Sequence, residues 1–91
     1  MKSMRRFEWD DAKAEANLKK HHISFEQAKA IWNDPFHYRL HLTDDPETRW
    51  LIVGRVQKDV FHSAIFTYRG RVVRIISARR SSALEVRAYY G

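Results

Sequence analysis

The chain has no cysteine and, among 91 residues, only two prolines and three glycines. Without cysteine there is no disulfide framework, no thiol nucleophile and no cysteine-type zinc site. That composition suits a reducing compartment. Gly54, Gly70 and Gly91 are scattered and form no phosphate-cradling loop, and neither a GxSxG elbow nor an HExxH pair occurs. No nucleotide cofactor is therefore expected. No apolar run approaches the roughly 18 residues of a membrane span. Met1 to Arg6 leads into no signal-peptide hydrophobic region. The expectation is a soluble, cytoplasmic protein with no membrane partner. Repeats, low-complexity stretches and linkers are also missing, which implies a single domain over residues 1–91.

What is present is a globule's share of apolar residues, 44%, with 13% aromatics, and a lopsided charge. Residues 1–48 carry eight Lys/Arg against nine Asp/Glu, whereas residues 49–91 carry nine basic residues against Asp59 and Glu85 alone. The whole excess of +6 therefore belongs to the C-terminal half. A one-sided basic field concentrates polyanions, so nucleic acid is the first partner to consider and an acidic protein the second.

The patterning predicts secondary structure in a simple order. Phe7-Glu8-Trp9 is a short extended stretch. Asp10 and Asp11 cap a helix running to about His21, with Lys19, Lys20 and the His21-His22 pair at its negative end. Ser24 and Gln27 form a capping box for a second helix with Phe25, Ala28, Ile31 and Trp32 on its buried stripe, closed by Asn33-Asp34-Pro35. The period then changes to two. Strands are expected over 36–42, 49–56, 60–67 and 71–78, with Phe36, Tyr38, Leu40 and Leu42 sharing one face of the first. Their short connections require antiparallel neighbours. Ser81 or Ser82 caps a last helix, with Glu85 closing a capping box if Ser82 is the cap. The fold expected is α+β: two N-terminal helices and a C-terminal helix packed with a four-stranded antiparallel sheet, the helices on one face.

Residues 71–78 read as a central strand, apolar on both faces, with Arg79 and Arg80 where it stops. Two guanidiniums beside a helix N-terminus can clamp a phosphate, or simply lie in solvent. Glu85 and Tyr89 are four apart on the last helix; they are either cap and core edge, or a carboxylate and a phenol turned toward the arginines. Of the five histidines, His37 and His41 would lie about 13 Å apart on a strand, too far to share a metal, and no zinc spacing occurs. His62 falls in mid-strand. No metal is expected.

The stretch FEWDDAKAEANLKKHHISFEQA, Phe7 to Ala28, followed by NDP at 33–35, resembles the opening of the BrnT family of bacterial toxins. ETRWLIVG at 47–54, RIISARR at 74–80, and the placing of Glu85 and Tyr89 resemble its middle and end. The resemblance implies a RelE-like fold and a toxin of a type II toxin–antitoxin pair that cleaves RNA and blocks translation, without metal or cofactor. It implies a BrnA-like antitoxin with a ribbon-helix-helix part, a two-plus-two complex and operator DNA bound through that complex. Carried over by position are Lys13, Asn17 and His21 on the first helix, then Arg49, Arg74, Arg79, Glu85 and Tyr89. One departure is His22, where family members often carry glycine, a residue suited to a left-handed helix end.

The chemistry expected is attack of a 2′-hydroxyl on the adjacent phosphate. Arg79 and Arg49 would hold the phosphate with Arg80 alongside, Glu85 or His21 would take the proton, and Tyr89 would stack on or donate to a base or sugar. Lys13, Asn17 and Arg74 would bind the substrate. The alternative is a non-catalytic module that grips operator or RNA through the same basic half.

Overall fold

In the computed structural model the described residues are 5–91; the reading of Met1 to Arg6 as containing no signal segment falls largely outside them. The order is β1 (Arg6–Glu8), α1 (Asp11–His21), α2 (Phe25–Ala28) continued by a 3-10 segment (Lys29–Asn33), β2 (Tyr38–Thr43), β3 (Arg49–Gln57), β4 (Val60–Arg69), β5 (Val72–Arg80) and α3 (Ala83–Tyr90). The α+β class and the element order agree with the sequence pattern.

The helix signals act where they were expected. Asp10 accepts a bond from the Lys13 backbone, and Ser24 with Gln27 and Ser82 with Glu85 both form complete capping boxes. His22 ends α1 in the left-handed region at φ 60. The second helix is shorter as an α-helix than its stripe implied. After one turn it tightens to a 3-10 segment, which still buries Ile31 and Trp32.

Three features of the sheet differ from expectation. It has five strands rather than four, in the order β1-β5-β4-β3-β2. The short stretch before α1 pairs parallel to β5, Phe7 opposite Val73, so the sheet is mixed. Aromatic packing holds this added edge: Phe7 meets the Trp32 ring at 5.2 Å and Trp9 meets Phe25 at 5.9 Å. β5 is therefore interior, flanked by β1 and β4, while β4 is the middle strand.

Helices also cover both faces rather than one. Ile52, Ala64, Phe66, Val73, Ile75 and Ala78 turn toward α1, α2 and the 3-10 segment and form the main core with Phe25, Ile31 and Trp32. α3 lies on the opposite face, where Tyr89 and Tyr90 stack edgewise on Phe61 at 5.0 and 5.8 Å. Burying both faces explains why β3, β4 and β5 are apolar on each side.

The third difference is β2. It lies at the sheet edge, and its supposed inward face stays open: Leu40 and Leu42 are about half exposed and Phe36 is 75% exposed. Alternation alone marks a face without saying that anything covers it. Gly54 in β3 has a clear packing reason, since a Cβ there would sit 3.0 Å from the Ile31 carbonyl oxygen and 3.1 Å from its Cγ2. No helix among the described residues is long and apolar enough to cross a membrane.

Candidate functional site

The end of β5 decides how the basic residues are distributed. Ile65 of β4 pairs with Ser77 and Phe66 with Ile75, so Ile76 is an extra, unpaired residue: a β-bulge. The bulge resets the alternation. Val73, Ile75 and Ala78 all reach the main core, and Arg80 follows Ala78 to that side while Arg79 turns toward α3. The strand continues through both arginines, so they lie within it and not beyond its end.

On the α3 face Arg79 is not free. Its two terminal nitrogens donate to the two oxygens of Glu85 at 2.7 and 2.8 Å. Glu85 Oε1 also accepts from the Ser63 hydroxyl at 2.9 Å and from the Ser82 backbone at 2.8 Å, and Ser63 shares a 2.6 Å bond with Ser81. The Arg79 guanidinium, helped by these donors, holds the Glu85 carboxyl down at about 2 against the opposing effect of burial. The same bond raises Arg79 above its ordinary value. Tyr38 donates its hydroxyl to the Glu85 carbonyl at 2.8 Å, tying β2 to α3.

Tyr89 does not accompany Glu85 toward the arginines. Its ring packs on Phe61, and its phenol, raised by burial and by the nearby carboxylate, faces Asp34. Asp34 is 8% exposed and accepts from the backbones of Phe36 at 2.9 Å and Arg55 at 2.7 Å. Burial, the largest single influence, would raise its carboxyl, but these two donors together with the Tyr89 phenol and the Arg55 charge outweigh it and the net shift is downward.

On the opposite face, the end of β5, the start of β4, the end of β3 and the end of α1 border an open cleft of about 660 Å³. Its polar lining is His21, His22, Gln27, Gln57, His62 and Arg80. Arg80 is exposed and makes no ion pair among the described residues. His62 stands directly across from Arg80 in the β4–β5 register. Burial, and then the Arg80 charge, push the His62 imidazole below its ordinary value. Sequence reading placed His62 only in mid-strand. The signal that would have found it is register, since it needs the β4–β5 pairing and the bulge together.

Asn17 anchors this cleft from within. It is 7% exposed, donates to the Ile23 and Ala78 carbonyls at 3.0 and 2.9 Å, and accepts from the Ala78 backbone at 3.0 Å. Its amide thus behaves as an extra strand partner for β5 and fixes α1, with His21 one turn on, against the arginine-bearing end. Lys13, a turn earlier, is exposed.

Arg49 and Arg74 lie elsewhere. Arg74 pairs with Thr67, and Trp50 with Phe66, so both arginines fall in one row across the sheet. That row is on the order of 15 Å along the strands from Arg79. Arg74 is bonded to Glu8 at 2.7 Å, and Arg49 contacts Glu47 at 3.4 Å. The nine residues singled out in the sequence thus divide among the cleft and its α1 wall, the α3 face and this far row.

A family model described as "Ribonuclease toxin, BrnT, of type II toxin-antitoxin system" matches residues 9–85. The chain belongs to the BrnT family. The match covers α1 through the Arg79–Glu85 pair, which includes every element that builds the cleft. The fold is also that of BrnT: the 1.1 Å crystal structure of the Brucella abortus ribonuclease toxin BrnT superposes with a TM-score of 0.70 at 21% identity, covering 87% of this chain and 99% of that one. No curated protein matches the sequence. The family is one of ribonuclease toxins with antitoxin partners, and the resemblance drawn from the sequence is correct.

Proposed function

We propose that this BrnT chain cleaves RNA, thereby inhibiting translation, and that a BrnA-like ribbon-helix-helix antitoxin neutralises it. The observation that carries the reading is the cleft, where Arg80, with no ion-pair partner among the described residues, stands among imidazoles on a pair of interior strands. A 2′-hydroxyl attacking the adjacent phosphate needs a proton acceptor, a proton donor and cationic stabilisation of the phosphorane. Arginine supplies the last, and we assign that task to Arg80 without a metal. His21 lies in the same cleft and takes part in proton transfer.

The remaining residues fit supporting roles. Arg79, gripped by Glu85, holds α3 onto the sheet beneath the strand end, and Glu85 positions it. Tyr89 packs this face, its ring on Phe61 and its phenol toward Asp34, and so helps hold α3 in place. Lys13, Arg49 and Arg74 offer more distant contacts to the RNA backbone, and Asn17 sets the wall that carries His21. The antitoxin would bind in a two-plus-two complex that holds operator DNA through the ribbon-helix-helix part.

The test is induction of the chain in cells with and without the antitoxin, followed by growth and RNA integrity. Arrest with fragmented RNA, relieved by the antitoxin, is expected. Unchanged growth and intact RNA with a folded protein would overturn the reading. A second reading, a non-catalytic nucleic-acid-binding module, is favoured by the closed Arg79–Glu85 pair. It predicts salt-sensitive binding that leaves purified RNA whole.

A further inference from the structure

We propose that His62 is a catalytic residue of this cleft, the group that accepts the 2′-hydroxyl proton while Arg80 holds the phosphate. The inference rests on the cleavage reading above and assigns its missing base.

Three observations point to it. First, His62 and Arg80 are direct cross-strand partners on one face, so their side chains stand about 5 Å apart at the Cβ level. A base and a phosphate-binding cation are thereby mounted side by side on two interior strands of the sheet. Second, the partner of His62 on the other side is Gly54, which has no side chain to cover the ring. Third, Nδ1 of His62 is wholly buried with no hydrogen-bond partner among the described residues, whereas Nε2 is not among the buried unpartnered atoms. Nε2 is therefore the nitrogen that meets the cleft.

An orphaned buried ring nitrogen has a chemical consequence. A buried N–H at Nδ1 has no acceptor among the described residues, so the resting neutral ring keeps its hydrogen on Nε2. The accepting tautomer, with the hydrogen on Nδ1, is the minor one, and its buried N–H persists in the imidazolium. The Arg80 charge acts on the ring in the same direction. Arg80 faces it from β5, His21 and His22 from the end of α1, and neutral Gln27 from α2. No carboxylate among the described residues lines the cleft to offset it. Burial and the Arg80 charge, which lower the group, keep His62 neutral, and it accepts the proton at Nε2 from the tautomer that carries its hydrogen on Nδ1.

The step balances without any co-reactant. The 2′-oxygen forms a bond to phosphorus, its proton passes to Nε2 of His62, and the bond from phosphorus to the 5′-oxygen breaks. The departing 5′-oxygen takes a proton from His21 on the facing wall. The products are a 2′,3′-cyclic phosphate and a 5′-hydroxyl.

The experiment is single-turnover cleavage of a labelled RNA by purified wild type and His62→Gln, with RNA affinity and unfolding measured alongside. The variant should lose about 10²- to 10⁴-fold in cleavage while keeping its affinity and its fold. The acid limb of the wild-type profile should lie below the ordinary histidine range and be missing from the variant's residual rate. Cleavage by His62→Gln within threefold of wild type would overturn the assignment. Should the variant not fold, NMR titration of the His62 ring in the wild type decides: a midpoint matching the acid limb supports it, and a mismatch removes it. A wild type that cleaves no RNA at all would instead overturn the cleavage reading itself.

Discussion

Arg79 and Glu85 are joined by two parallel bonds of 2.7 and 2.8 Å, and this fork is the closure between β5 and α3. Arginine is suited to it because its planar donors match both carboxylate oxygens. The Glu85 carboxyl, held at about 2, makes the closure sensitive to acid. A depressed carboxyl contributes stability that is complete above its unfolded value, near 4.5, and is lost as the pH falls toward about 2. Wild-type denaturation midpoints should decline across that window, and Glu85→Gln should flatten the decline. The shift corresponds to roughly 3 kcal/mol unscreened. With the Arg79 side chain 37% exposed, about 1–2 kcal/mol is the expected loss in Glu85→Gln at neutral pH.

Asn17→Ala should be the more damaging change. It would leave the Ala78 N–H and carbonyl and the Ile23 carbonyl unpartnered in the interior. At about 1–3 kcal/mol for each orphaned group, partly relieved by water, a loss of about 3 kcal/mol is expected. Urea denaturation measures it, and a loss under about 1 kcal/mol would show that Asn17 does not anchor β5.

The two adjacent arginines should separate in experiment. Arg80→Ala removes a solvent-facing charge with no ion-pair partner among the described residues, so stability should change by less than about 0.5 kcal/mol. RNA affinity should fall, and the salt dependence of binding to single-stranded RNA should lose about 0.7 from its slope. Arg79→Ala should instead lower stability by about 2 kcal/mol, because it leaves Glu85 charged and half-enclosed. Titrating RNA at several salt concentrations alongside thermal melts tests both halves.

His22→Gly should stabilise the protein. His22 sits at φ 60, where a side chain carries a steric cost that glycine does not. The gain expected is about 0.5–1 kcal/mol, seen as a rise of a few degrees in melting temperature. No gain would mean that the imidazole makes a compensating contact in solution.

Legibility in the sequence followed the range of the forces involved. Local signals were readable: the caps at Asp10, Ser24 and Ser82, the left-handed end at His22, and the period change after Pro35 all depend on neighbours within four residues. The family, too, could be read from motifs spread along the chain. Pairing between distant segments could not. Nothing local says that Phe7 sits beside Val73, that Leu40 and Leu42 face outward, or that Tyr89 lies by Asp34 and away from the arginines.

The sequence by itself determined an α+β domain with a basic C-terminal half, three capped helices and a pair of arginines at the end of an apolar strand. Only the tertiary structure decided which arginine faces which ligand. One unpaired residue, Ile76, shifts the alternation so that Arg79 meets Glu85 and Arg80 meets His62. A strand's side chains alternate with period two, so a single inserted residue exchanges the faces of everything beyond it. That insertion exists only relative to β4, and no pattern within residues 71–80 announces it.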